Sequence, residues 1–436
     1  MPDLSRSTVA HHAPRVGACI ALAGLLGTVV AVKAEEAGPL PFLPVFVQDW
    51  EGGQAKVDSK GVTVQSADGD VKFLVGGRLH YDLGTASVSP KLGHTQPSED
   101  GSIRRAWIEP QLVFSNGVAL SFQYDFSQTT TPINDALISY KGASPFILVA
   151  GNFKEPFSLD QLQSNNVTLF TERSLLDAFA PGRDFGALAG VHGDRWTLAG
   201  GAFGGNINTG LEQDGIAGTA RFTYAPILSH DEVLHLGIAG SYRARDGGGG
   251  SLSFSERPED FLFRTSLVST GTIKNADTDA RLGLEASYEF NPVRIDAEVA
   301  ETIVSGQGAP DRTFRAGYVE ASWIINGHAR AYRLAPRYAS EYAVFEGVEV
   351  PASARVSHGG IGVFELGARF SAIDLDSGAV RGGAQRDATV GLNWYPDADI
   401  RFMANYIHAR AEPSAASVTG GAVDSDLVVG RIQIAW

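Results

Sequence analysis

From Val71 to the C-terminus the chain returns again and again to one pattern: apolar and polar residues alternate for about ten positions, stop at turn residues and resume. In Val71–Leu83 the odd positions Val71, Phe73, Val75, Leu79, Tyr81 and Leu83 are apolar, while the even ones include Lys72, Arg78, His80 and Asp82. After Ser115-Asn116-Gly117, Val118, Leu120, Phe122, Tyr124 and Phe126 alternate with Ala119, Ser121, Gln123 and Asp125. Leu234–Tyr242, Leu282–Phe290, Val293–Val299 and Val390–Trp394 repeat the theme. The terminal stretch Asp426–Trp436 sets Val428, Gly430, Ile432, Ile434 and Trp436 on one face, and Leu427, Val429, Arg431, Gln433 and Ala435 on the other. A period of two means strands whose side chains point alternately to two faces, and no comparable stretch has helical periodicity. The pattern therefore predicts an all-β chain.

A soluble sandwich and a membrane barrel both produce such alternation, and three features separate them. The runs have the length a tilted strand needs to cross a hydrocarbon layer, about ten residues. Aromatics gather at the ends of apolar faces, in Tyr124-Phe126, Tyr288-Phe290 and Trp394-Tyr395, where interfacial girdles belong. Charges recur at mid-strand on the opposite face, at Arg78, Asp125, Glu285 and Asp296, which a dry core tolerates only when paired. Roughly 25 residues per strand and connection divide the exported chain into about 16 strands, giving a 16-stranded antiparallel transmembrane β-barrel over residues 71–436. A barrel of that size has a wide lumen that something must narrow from inside.

The N-terminus agrees with export. Arg6 and Arg15 precede the apolar run Val16–Val32, and Val32-Lys33-Ala34 presents small residues for cleavage, so residues 1–34 are expected to be a signal peptide. Cys19 follows Val16-Gly17-Ala18, but the apolar run comes after it, which speaks against lipidation. Residues 35–70 form a short polar lead-in with a Pro-containing apolar stretch, Leu40–Val47. The whole chain carries a formal charge of −14, and loss of its basic leader makes the remainder more negative. Nucleic acid is thus excluded as the main partner.

One segment breaks the alternation at length: Lys154–Phe185, reading KEPFSLDQLQSNNVTLFTERSLLDAFAPGRDF. It is too long for a hairpin and too rich in large apolar residues for a solvated tip, so it is expected to fold into the barrel as a constriction loop.

Several motifs now resemble the phosphate- and polyphosphate-selective porins of the O and P type. They are Val75-Gly76-Gly77-Arg78-Leu79, Arg104-Arg105-Ala106-Trp107, Asp135-Ala136 leading to Tyr140, and Gly151-Asn152-Phe153-Lys154-Glu155-Pro156-Phe157-Ser158-Leu159. Thr171-Glu172-Arg173-Ser174 leading to Arg183, Leu392-Asn393-Trp394-Tyr395 and Ala404-Asn405-Tyr406 continue the likeness. The resemblance implies a homotrimer of barrels in the outer membrane of a Gram-negative bacterium, each passing small anions such as phosphate, with lipid around it and no cofactor. It further implies that Arg78, Arg105 and Arg173 belong to the basic lining of the narrow zone, with Asp135 as the acid nearby. Trp107 and Lys154 fall where such porins place residues that set pore width. Strand parity independently puts Arg78 on the charged side of its strand, and Arg105, Trp107 and Glu109 opposite Ile108, Leu112 and Phe114. Arg104 has the opposite parity, which would place it at the barrel rim or a subunit contact.

Against phosphate selectivity stand the later strands. Arg243, Arg245, Arg281 and Arg294 share lumen parity with Glu285, Glu289, Asp296 and Glu298, while Arg257, Arg264 and Arg312 lie where no register can be read. A general or cation-tolerant diffusion porin of the same fold therefore stays open as an alternative. A barrel enzyme is the alternative of another class, but the histidines from His80 to His408 are scattered and no serine sits in a nucleophile motif.

Overall fold

The computed structural model describes residues 46–58, 61–89, 100–142, 145–210, 215–245, 250–336, 341–413 and 421–436, so the expected signal peptide lies outside the described residues. Sixteen antiparallel strands close into a barrel. They are β1 (Val71–Ser89), β2 (Asp100–Phe114), β3 (Val118–Asp125), β4 (Ile133–Tyr140), β5 (Phe146–Lys154), β6 (Arg183–His192), β7 (Trp196–Phe203) and β8 (Ile216–Leu228). The second half comprises β9 (Glu232–Ala244), β10 (Thr278–Phe290), β11 (Val293–Gly306), β12 (Ala309–Ile324), β13 (Val363–Ser377), β14 (Val380–Tyr395), β15 (Ile400–Pro413) and β16 (Val423–Ala435). Each pairs with its chain neighbours, and β16 closes on β1 in register from Asp424↔Ser89 to Ala435↔Arg78. Closure leaves no barrel edge with unpaired backbone groups, the condition for a sheet to sit in hydrocarbon.

Parity decides which face is which. Leu120, Phe122, Leu282, Leu284, Val299, Phe370, Val390, Val428 and Ile432 are exposed on the outside, as a lipid-facing wall requires. Aromatic rings associate near strand ends: Tyr124 with Phe126 at 4.9 Å, Tyr288 with Phe290 at 5.1 Å, and Trp394 with Phe402 at 5.3 Å between centroids. Tyr395 departs from the expected girdle and turns inward, where its hydroxyl donates to Glu365 (2.8 Å).

The lead-in is more ordered than its composition suggests. Phe46–Trp50, Gly53–Asp58 and Gly61–Ser66 form a small antiparallel meander that joins the first turn of the barrel through Val62↔Val75 and its neighbours on β1.

Three segments fold inside the cylinder. The first, 155–182, is the anticipated constriction loop. The second, described over residues 250–277, enters from the same end; its Phe254, Phe263, Leu267 and Val268 pack against Leu175, Leu176 and Phe179 of the first. The third, described over residues 325–336 and 341–362, enters from the opposite end, where the connections are otherwise short turns. Its Phe345 meets Leu159 and Leu162 of the first segment, and its Tyr342 lies against Ile147, Val149 and Leu188 of β5 and β6. Inward apolar residues Val304, Phe314, Leu375, Ile407, Leu427 and Val429 are covered by the first two segments. The inner wall is therefore part apolar core and part polar channel, which explains the two aliphatics on the inner face of the terminal strand. Each fully buried Leu or Phe contributes about 1.5–3 kcal/mol to holding these segments in place.

Candidate functional site

The constriction loop leaves β5 through Pro156 and the fully buried Phe157. Ser158 follows in a left-handed conformation, φ +64°, a strained backbone that persists only where its surroundings fix it. What fixes it is the short helix α1 (Leu159–Leu162). Glu298, on the far wall at β11, accepts the N–H groups of Leu159 (3.1 Å) and Asp160 (2.7 Å), and Ser158 Oγ accepts that of Gln161 (3.2 Å). These bonds satisfy the free donors at the helix start. Beyond α1 the loop runs along β13–β16 and β1. Arg401 donates to the carbonyls of Thr168 (2.8 Å) and Leu169 (3.1 Å), Arg431 to that of Thr171 (2.5 Å), and Gln433 to that of Asn166 (3.0 Å). Close approach needs glycine here: Gly367 and Gly391 are cross-strand partners, and a Cβ on them would lie 2.9 Å from Leu169 and 3.1 Å from Phe170.

The charged centre of the loop is Glu172. Arg104 grips it through two bonds (2.7 and 2.9 Å), Arg431 Nη2 lies at 3.0 Å and Arg105 Nη1 at 3.9 Å. Burial alone would raise the Glu172 carboxyl; Arg104, Arg105 and Arg431 hold it well below the usual carboxylate range. Arg431 also forks Asp82 (2.6 and 2.7 Å). The inward place of Arg104 corrects the parity argument, which puts it at the barrel rim or a subunit contact. Register slips between His80↔Arg105 and Tyr81↔Ile103, so a β-bulge leaves Arg104 without a partner on β1 and turns it to the same side as Arg105.

The remaining anticipated residues cluster next to this centre. Arg78 pairs with Glu109 (2.5 Å) and lies 4.3 Å over the Trp107 ring. Trp107 is buried, with Arg183 5.8 Å from its centroid, and Asp135 accepts from Arg183 (2.7 Å). Lys154 and Arg173 are turned into the loop itself. Lys154 Nζ donates to Gln161 O (2.6 Å), and Arg173 donates to Asp160 O (2.8 Å) and Gln163 O (2.8 Å). Both close the C-terminal side of α1, where free carbonyls gather.

On the opposite wall the mixed signs resolve into pairs. Arg221 meets Glu285 (2.6 Å), Arg294 meets Asp296 (2.9 Å), and Arg243 meets both Glu155 and Asp184 (2.6 Å each). Arg245 and Arg281 share Asp279 at 2.7 and 3.0 Å. Arg369, Arg401 and Arg431 were not singled out from sequence. Their inward parity was readable, but nothing local shows that a loop distant in sequence places its carbonyls against them. Among the described residues no group of His, Cys, Asp or Glu is arranged to hold a metal ion.

One acid of the second inward segment titrates in an accessible range. Burial pushes Asp260 up to about 6; Glu172 and Asp82 add to the rise, and the Leu262 N–H and Arg257 oppose it. Below that value Asp260 is neutral and the lumen gains positive charge, so anion preference in a chloride gradient is expected to increase between about pH 7 and pH 5. Asp260→Asn should lessen that pH dependence and raise the preference at neutral pH; an unaltered profile would count against it.

The chain matches the family model described as phosphate-selective porin O and P over residues 73–436. It is 24% identical over 452 residues to Porin O of Pseudomonas aeruginosa, covering 94% of this chain and 98% of that protein. An uncharacterized protein of Caulobacter vibrioides is 25% identical over 392 residues, covering 86% of this chain and 75% of the other. Among solved structures, the anion-selective porin from Comamonas acidovorans shares the fold with a TM-score of 0.52 at 11% identity, covering 84% and 100% of the two chains. OprB of Pseudomonas putida does so with a TM-score of 0.52 at 8% identity, covering 85% and 95%. Because the family match runs from the first barrel strand to the last residue, the chain belongs to the phosphate-selective porin O and P family and forms an outer-membrane channel.

Proposed function

We propose that this channel is a passive pathway for small anions, phosphate or polyphosphate before others. The observation that carries the reading is the gathering of Arg104, Arg105 and Arg431 on a single loop carboxylate, Glu172, with Arg78 and Arg183 flanking Trp107 alongside. Guanidinium suits phosphate because each group offers a rigid fork of donors and stays charged at every working pH. A series of such groups lets an anion exchange part of its water for protein donors and move on. The family description and the anion-selective relative of like fold support the same direction. We further propose a homotrimeric assembly, as the resemblance implies, to be checked by the mass of the detergent-solubilised particle.

The test is reversal potential across a planar bilayer. Arg105→Ala and Arg173→Ala are each expected to lower anion preference, the first by removing a charge at the narrow zone. The second unties the Asp160 and Gln163 carbonyls that its guanidinium holds. Wild-type selectivity in both variants would remove their assigned role. The second reading, a general or cation-tolerant pore, is favoured by the pairing of Arg221, Arg243 and Arg294 with carboxylates; a reversal potential near zero for the wild-type channel would select it. Family and fold are those of a channel rather than an enzyme.

A further inference from the structure

The outer wall over β12–β16 is uniform neither in shape nor in charge. Ala321, Ala368 and Ala404 leave a groove of about 670 Å³ between the larger side chains of Trp323, Leu392 and Tyr406. Further along the same strands stand two cations. Arg386 on β14 and Arg410 on β15 are direct cross-strand partners. Both are exposed, and they share the outward parity of Val390 and Tyr406. Like charges set opposite each other on a sheet repel, so this pair carries a cost that a bound anion would remove.

Height places the two arginines at a membrane boundary. Each lies eight residues along its strand from the stacked rings of Trp394 and Phe402, about 26 Å at roughly 3.3 Å per residue and about 20 Å across the layer after strand tilt. Those rings flank the short turn between β14 and β15, and short turns mark the periplasmic side of outer-membrane barrels. Arg386 and Arg410 therefore reach the headgroups of the outer leaflet. The acids around them do not absorb their donors. Asp424 comes only to 3.8 Å from Arg410, outside hydrogen-bond reach. Asp426 is engaged by the Tyr406 hydroxyl (2.6 Å) and His408 Nδ1 (2.9 Å), and Asp374 accepts the Asp376 N–H (2.9 Å). Glu412 pairs across the ladder with Ala384, two residues further out. Among the described residues Arg386 forms no ion pair, and neither guanidinium makes a hydrogen bond. Arg315, on the same wall, is by contrast matched by Glu301 at 2.6 Å.

We propose that the outer wall of β12–β16 is a docking site for an outer-leaflet lipid that carries phosphate at its head, with Arg386 and Arg410 on the phosphate and an acyl chain in the groove. Charge complementarity selects this occupant. Two guanidinium forks side by side match the several oxygens of one phosphate group, and its charge ends their mutual repulsion. A chain hung from that head points at the groove, because Val390 and Tyr406 lie four residues below the arginines and line it, about 13 Å away. There it fills a hollow whose walls would otherwise lack packing partners on one side. The site is on the outside of the cylinder, so it stands or falls independently of what the channel passes.

The experiment titrates diphosphoryl lipid A onto the purified full-length channel in detergent and counts bound lipid by native mass spectrometry. It compares the wild type, Arg386→Gln/Arg410→Gln, Ala368→Leu/Ala404→Leu and, as a control elsewhere on the wall, Arg315→Gln. The wild type and Arg315→Gln are expected to bind alike. Loss of both arginines should raise the half-saturating concentration by about ten-fold, and filling the groove should raise it by about three-fold or more, with unit conductance preserved in each. A wild type that retains no lipid overturns the proposal, as does wild-type binding in both double variants. Displacement of the lipid by inorganic phosphate alone overturns the part assigned to the groove. If filling the groove instead splits the unheated particle into single subunits on a gel while lipid still binds, the face is a contact between copies and the lipid site is overturned.

Discussion

Replacing Glu172 by Gln is expected to raise the anion-to-cation permeability ratio by about ten-fold. The carboxylate is the shared counter-ion of Arg104, Arg431 and Arg105, so its neutralisation releases a full positive charge at the charged centre of the constriction loop. At an effective dielectric constant of about 20, a unit charge at 4 Å is worth about 4 kcal/mol. Salt and residual water reduce that figure, and about 1.4 kcal/mol already corresponds to ten-fold. Gln preserves the shape, and its carbonyl oxygen still accepts from Arg104, so the loop keeps its path and the change reads charge rather than collapse. Reversal potentials in a potassium chloride gradient measure the ratio directly. An unchanged ratio would mean that permeating ions do not pass within reach of this cluster, and the proposed pathway would fail with it.

Arg431→Met is expected to be the most damaging single change to the barrel. The side chain is fully buried and holds Asp82 by two bonds, the Thr171 carbonyl by a third and Glu172 by a fourth. Without it Asp82 stays buried with its charge uncompensated, a loss of about 3–5 kcal/mol, and the Thr171 carbonyl loses a donor, about 1–3 kcal/mol more. The variant should unfold at lower temperature in a gel-mobility assay, and its current should be noisier because the loop loses an anchor. Asp82→Asn combined with Arg431→Met removes the stranded charge and should recover much of the heat resistance. Equal heat resistance of the single variant and the wild type would contradict the proposed anchoring.

The architecture was legible because a period of two is written residue by residue. Val118 to Phe126 and Val428 to Trp436 show their outer faces without any tertiary information, and the strand count follows from spacing. The interior was less legible, for physical reasons. A bulge adds one residue to a strand and reverses parity beyond it, so Arg104 was assigned to the wrong side by a rule that assumes unbroken pairing. The connection after β12 carries no alternation and sits where short turns are the norm, yet its Tyr342 and Phe345 reach across the lumen. Ion pairs such as Arg221 with Glu285 or Arg243 with Glu155 join residues far apart in the chain. Parity announced that acids and bases shared a wall, but which charges cancel is a property of contacts.

The terminal strand joins two jobs that could have been separate. Its Asp424–Ala435 register on β1 seals the cylinder, and its Arg431 grips both the sealing partner Asp82 and the loop carbonyl of Thr171. A barrel that had not yet stitched its final seam would lack the fastening that calibrates its aperture. Assembly and bore are thereby set in one stroke, and a leaky half-zipped intermediate has no ready means of imitating the finished sieve.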